Sequence, residues 1–125
     1  MLEPLEISRM ARALAAHSGA RLGVIAQNVA HADTPGYRTR DLPAFADIYR
    51  ETGEIRATRL GHIRAAQRVQ AMAFAVPGGD APNGNTVSLE AEMVKSAEAR
   101  QAHEMALAIQ RTVSDITKLS LGRGR

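Results

Sequence analysis

The helical period that opens this chain stops within five residues, at Asp33-Thr34-Pro35-Gly36-Tyr37. These five residues lie in the stretch Gln27–Arg40, which joins a helix carrying Leu22, Ile25 and Val29 on one stripe to a middle region, and Ala30-His31-Ala32 adds small, closely packable positions before the break. A residue before proline is pushed out of the helical region, so Thr34 is the exit point. Pro35 presets φ for the second position of a turn, and Gly36 supplies the positive φ that a type II turn needs at the third. Asp33 is expected to bond the backbone two residues on. The chain must therefore leave a long helix through a sharp turn and change direction.

The first helix is expected over Leu5–Ala32. Ile7, Ala11, Leu14, Ser18, Leu22, Ile25 and Val29 recur at steps of three and four, which places them on one helix face. Pro4 suits a first helical turn, and Glu3 and Glu6 suit its positive end. Gly19 and Gly23 cost helix stability, about 1 kcal/mol each. We read them as points where a neighbouring helix approaches the backbone closely. A second helix is expected over residues 88–121, with Ser88 as N-cap and Glu90 and Glu92 in the first turn. Val94, Glu98, Ala102, Met105, Ile109, Thr112, Ile116 and Leu119 keep the same spacing. Gly122 follows as a stop, with Lys118, Arg123 and Arg125 at the negative end. Leu14, Leu22, Ile25 and Val29 on the first helix, and Met105, Ile109, Ile116 and Leu119 on the second, are the candidate seam positions.

Residues 33–87 read as the turn followed by an irregular middle. Phe45–Tyr49 is expected to form one helical turn, and Val69–Val76 a short strand. Arg56, Arg59, Arg64 and Arg68 form a basic stretch, read as a contact surface for acidic neighbours. Pro77–Asn85 is a turn-rich loop. The fold class is therefore mainly α, with long terminal helices and a short β element between them, in a single unit over residues 1–125.

Composition narrows the function. Four aromatic rings (Tyr37, Phe45, Tyr49, Phe74) and no Trp leave the apolar fraction to Ala, Leu, Ile, Val and Met, which suits helix–helix seams. Fourteen Arg stand against two Lys, and Arg is the better interface cation. There is no Cys, hence no disulfide or thiol chemistry. No apolar run approaches the roughly 20 residues of a membrane span. The N-terminus leads with acids and lacks a clean apolar core, unlike a secretory signal. His17, His31, His62 and His103 are scattered without metal-ligand spacing, and no nucleophile-elbow, phosphate-loop or dinucleotide fingerprint occurs. No catalytic, cofactor or metal residues are assigned, and no enzyme activity is expected.

The segment around Asn28, Val29, Ala30, Thr34, Pro35, Gly36 and Tyr37 resembles the signature of the flagellar rod, hook and hook-filament axial proteins, with His31 where an Asn is common. Asn83–Met93 is similar to the start of the C-terminal helix in that family, and Gly61-His62-Ile63 to an element of its middle region. Many members carry an aromatic near the position of His103. The short chain and the A-D-T-P-G-Y variant fit a proximal-rod member. The resemblance implies that the terminal helices form a coiled-coil-like hairpin and that Asn28, Ala30, Asp33, Thr34, Pro35, Gly36 and Tyr37 are an assembly motif. It further implies export by the flagellar type III apparatus to the periplasmic rod of the basal body. Implied partners are other copies of the chain, the axial proteins FlgC and FlgF, the rod-base protein FliE and the rim of the export gate, with no nucleic acid and no membrane span.

Two long helices that bury one stripe each cannot cover themselves. The termini are accordingly expected to be largely unfolded in the free subunit and to order on assembly. The alternatives are the sister rod protein FlgC, whose C-terminal helix usually carries an aromatic and an Asn missing here, and an Arg-rich helical nucleic-acid binder. The latter needs a recognition helix or stacking aromatics near Arg56–Arg68, and neither is present.

Overall fold

The computed structural model describes residues 3–53, 73–78 and 81–122. The architecture is mainly helical: α1 (Glu3–Ala30), β1 (Arg40–Asp41), α2 (Phe45–Gly53), β2 (Phe74–Ala75) and α3 (Leu89–Gly122). The strands pair antiparallel, with Arg40 opposite Ala75 and Asp41 opposite Phe74. The basic stretch Arg56–Arg68, the Gly61-His62-Ile63 element and residues 69–72 of the expected strand lie outside the described residues.

The helix α1 ends two residues before the expected boundary because its last amides turn to nearer carbonyls. His31 N–H is shared between Gln27 and Asn28, and Ala32 N–H donates to Val29 at 3.2 Å. Such three-residue closures tighten a helix end. The helix α2 is nine residues long, longer than the single expected turn. The Ala44 carbonyl accepts from both Asp47 and Ile48, which opens the helix just outside its first residue. Ile48 is buried, and the ring of Phe45 sits between those of Tyr49, at 5.5 Å, and His17 on α1, at 5.7 Å. That wedge docks α2 against the long helix. At the start of α3, Ser88 acts as N-cap, with its carbonyl accepting from Glu92 and its Oγ from Ala91.

Helices α1 and α3 run antiparallel, as their cross-contacts require: Asn28 meets Glu92, and Ser18 meets His103. The seam between them is made of small side chains. Ala11, Ser18 and Ile25 are buried on α1, and Glu92, Ala99 and Ala106 on α3. At the middle, His103 Nδ1 lies 3.2 Å from the Ala15 carbonyl and 3.3 Å from Ser18 Oγ. Leu14, Leu22 and Ile109 are half-buried beside this track.

Val29, Met105, Ile116 and Leu119 are exposed rather than enclosed within the hairpin. The physical reason is that backbones approach most closely where side chains are smallest, so α3 turns its alanines inward and leaves Met105, Ile116 and Leu119 outside. Gly19 and Gly23 are also outward-facing. A methyl group at either would have nothing within 4 Å, so among the described residues nothing makes the close approach expected there. No described helix is long and apolar enough to cross a membrane.

Candidate assembly junction

The turn after α1 closes as its residues dictate. Tyr37 N–H donates to the Thr34 carbonyl, and Gly36 adopts φ +73° behind Pro35, the backbone of a type II turn. The expected bond from Asp33 does not form. Two residues on stands Pro35, which has no N–H, and the Asp33 carboxylate is exposed. Ala30, Thr34 and Pro35 are exposed as well.

A second loop, distant in sequence, locks onto this turn. Gly84, at φ +78°, closes a turn onto Ala81 and lies against Gly36: a methyl on Gly84 would sit 3.6 Å from the Gly36 Cα. Gly36 N–H donates to Asn83 O at 3.0 Å, and Thr86 N–H to Tyr37 O at 3.1 Å. The Thr86 hydroxyl accepts from Thr39 N–H at 2.7 Å and donates to the Thr39 hydroxyl. Asn85 is buried and aims its amide at the C-terminal end of α1, where Nδ2 reaches the carbonyls of His31, Ala32 and Thr34 at 2.8–2.9 Å. Helix ends leave unsatisfied carbonyls that a capping glycine or side chain must cover. Here the cap comes from a residue more than fifty positions away.

At the centre sits Asn28, fully buried on the last turn of α1. Its Nδ2 donates to Arg40 O at 2.7 Å and to Glu92 Oε2 at 3.0 Å. Its Oδ1 accepts from Arg40 N–H and from the Tyr37 hydroxyl, both at 3.1 Å. An asparagine amide has two donor hydrogens and two acceptor lone pairs, and all four are engaged. Arg40 is thus held through both its backbone groups on the edge of β1 that faces away from β2. The Tyr37 ring stacks on His31, centroids 4.7 Å apart and planes 7° from parallel.

A charged network extends from this hub. Glu92, on the first turn of α3, is 1% exposed and takes Lys95 Nζ at 3.0 Å on its second oxygen. Lys95 lies 4.0 Å from Asp41. Asp41 receives Arg21 through both guanidinium branches, at 3.1 and 3.2 Å, and Arg21 also reaches Glu98 at 3.6 Å. The Asp41 hydrogen bonds, helped by the charges of Asp41 and Glu98, hold the Arg21 guanidinium above its usual basic range against the opposing effect of burial. Among the described residues no buried side-chain nitrogen or oxygen lacks a partner, and no three His or acidic residues cluster as metal ligands. The groups at the junction are directed at one another, which suits a joint rather than a ligand pocket.

Of the expected motif, Asn28, Gly36 and Tyr37 meet in one place. The residues that complete the joint were not legible as such: Asn85 closed what read as a turn-rich loop, Thr86 lay in the irregular middle, and Glu92 read as a first-turn acid suited to the helix's positive end. One signal was present. Position 92 stands seven residues before Ala99 and fourteen before Ala106, which marks it as a seam position.

No family model matches the chain. Among curated proteins it is similar to the flagellar basal body rod protein FlgB of Salmonella typhimurium, at 31% identity over 71% of this chain and 73% of the relative. It is equally similar to FlgB of Cereibacter sphaeroides, again 31% identical over the same shares of each chain. The turn motif, the pair of long terminal helices and these relatives agree, and the chain belongs to the FlgB family of flagellar basal-body rod proteins.

Proposed function

We propose that this chain is a non-enzymatic structural subunit of the proximal rod, a single unit over residues 1–125 that polymerises through α1 and α3 into the axial drive shaft. The observation that carries this reading is the apolar surface that the hairpin leaves uncovered. Leu5, Ile7, Met10 and Val29 on α1, and Met93, Val94, Met105, Ile116, Leu119 and Leu121 on α3, are all exposed. So many large apolar side chains left open along both long helices support a face that other subunits cover. Val29, Met105, Ile116 and Leu119 then serve as seam residues between subunits, while Ile25, Leu14, Leu22 and Ile109 serve within one. The open backbone at Gly19 and Gly23 fits close approach by a helix of a neighbouring subunit.

On this reading the junction around Asn28, Gly36 and Tyr37 sets the direction in which the middle region leaves the hairpin. Ala30, Asp33, Thr34 and Pro35, exposed beside it, face the next subunit. The partners are further copies of the chain, FlgC, FlgF, FliE and the export-gate rim. Delivery is by flagellar type III export to the periplasmic rod.

The test is incorporation. Met105→Asp and Leu119→Asp place charges on the outward face without touching the hairpin's own seam. Both variants should be made and exported yet be missing from purified rods. Rods that contain them at parental levels would remove the outward face from the interface.

A further inference from the structure

The α1–α3 seam carries little information about its own register. The fully buried positions of α3 recur every seven residues as Glu92, Ala99 and Ala106. Alanine offers one methyl group and no shape, so sliding α3 by one repeat exchanges alanine for alanine between sites 99 and 106, while Val113 would enter the place of Ala106 in one direction and Glu92 the place of Ala99 in the other. The polar contact at mid-seam is equally tolerant. Ser18 meets His103, and the residues seven positions either side of His103 are Ser96 and Gln110, both able to hydrogen-bond a hydroxyl.

The ends differ. If α3 slid one repeat toward the junction, Ala99 would stand where Glu92 stands. The Asn28 amide would lose its carboxylate, and Glu92 would be carried past the end of α1. If α3 slid the other way, Asn85 and Thr86 would be pulled off His31, Ala32, Thr34 and Thr39, leaving the end of α1 uncapped. A buried polar contact that is satisfied in only one alignment is the best-attested device for fixing helix register.

The geometry points to Glu92 and Asn85 as the positioning residues that set the register of the hairpin, Glu92 losing Asn28 in either direction of slippage and Asn85 losing the end of α1 when α3 slides away, while the alanine seam supplies adhesion with little alignment. The consequence reaches the far end. Which residues of α3 lie beside Pro4, Leu5 and Ser8 is decided some twenty residues away along α1, at Asn28 and the loop that caps it. The same alignment decides which outward apolar residues of the two helices lie side by side.

The chain has no cysteine, so register can be read with introduced pairs. Ser8 and Val113 line one groove between the helices at the end remote from the junction. In the full chain, Ser8→Cys is combined in turn with Val113→Cys, with Ala106→Cys or with Ser120→Cys, the last two standing one repeat to either side. Yields of intramolecular product with a short bis-maleimide are compared in dilute solution, with helix content followed by circular dichroism. The parent should link position 8 to 113 and only marginally to 106 or 120. In the background Asn85→Ala with Glu92→Ala, the off-register yields should rise more than about tenfold while helix content holds, because the parent suppresses them by stranding a buried carboxylate. Glu92→Gln, whose amide oxygen still accepts from Asn28, should restore the parental pattern, and Ser18→Ala should leave it unchanged. Three results would overturn the assignment: an unchanged pattern in the double variant, off-register linking in Ser18→Ala, or loss of helix in the double variant. The last would show that these residues hold the fold rather than its register.

Discussion

The Tyr37 hydroxyl donates to Oδ1 of Asn28 at 3.1 Å, across nine residues of chain that include the whole turn. The turn has to close for that bond to exist, since Gly36 at positive φ brings the tyrosine back over the end of the helix it has just left. Stacking on His31 then holds the ring in place. The most specific segment of the sequence is thus a device for returning a hydroxyl to the helix's last buried amide.

Asn28→Leu keeps the branched outline of the side chain, at a larger volume, and removes every hydrogen bond that Asn28 makes. It leaves Glu92 buried without its amide donor and Arg40 without a partner on one edge. We expect a loss of about 3 kcal/mol, within the range for breaking a buried network. Tyr37→Phe removes a single bond and should cost about 1 kcal/mol. Urea denaturation followed by circular dichroism separates the two, and equal costs would deny Asn28 its central place.

Gly36→Val tests the turn. The glycine has open space around it, so any penalty comes from backbone conformation alone. Left-handed φ costs a non-glycine residue about 1–2 kcal/mol, and a β-branched residue sits at the upper end. Gly36→Asn, which tolerates that region, should be much milder. We expect Val to block rod assembly more than it unfolds the subunit, scored by motility and by incorporation. Normal motility with Val would refute the role of the turn.

The two long helices and the turn were legible in the sequence because their signals are local: apolar spacing, Ser88 before the second helix, Thr34-Pro35-Gly36 after the first. The face that each helix buries was less so. Met105 and Leu119 dominate any apolar count, yet the seam selects Ala99 and Ala106, since close approach rewards the small side chain over the large one. The junction was out of reach for a different reason. Asn28 is completed by Glu92 and the carbonyls after Ala30 by Asn85, and no local pattern announces a pairing between residues so far apart. Asn83-Gly84-Asn85 reads as a loop whether or not it is docked.

Charges placed along the helices should sort by face. Ile25→Asp puts a carboxylate at a position only 4% exposed and should destabilise the subunit by about 3 kcal/mol or more. Ile109→Asp, half-buried, should cost clearly less. Met105→Asp, at 54% exposure, should leave stability within about 0.5 kcal/mol and act only on assembly. A single rank order in stability and assembly for all three would contradict the division into inner and outer faces.

Arg21→Lys retains the charge and loses the fork that grips both Asp41 oxygens. We expect a cost of about 1 kcal/mol. A group whose folded pKa is raised gives stability that is fully present below its unfolded value and is lost as pH rises through the folded one. For Arg21 that window lies far above neutrality, so the arginine contributes no slope near neutral pH. The difference in urea midpoint between Arg21 and the Lys variant should therefore stay constant from about pH 6 to 9. A marked slope there would place another titrating group in control of this pair.

The most direct test of the axial role is deletion of the gene, with motility scored and purified basal bodies viewed by electron microscopy. The account predicts non-motile cells whose basal bodies lack rods and hooks, rescued by the intact gene but not by Met105→Asp. Motile cells with complete basal bodies would contradict it.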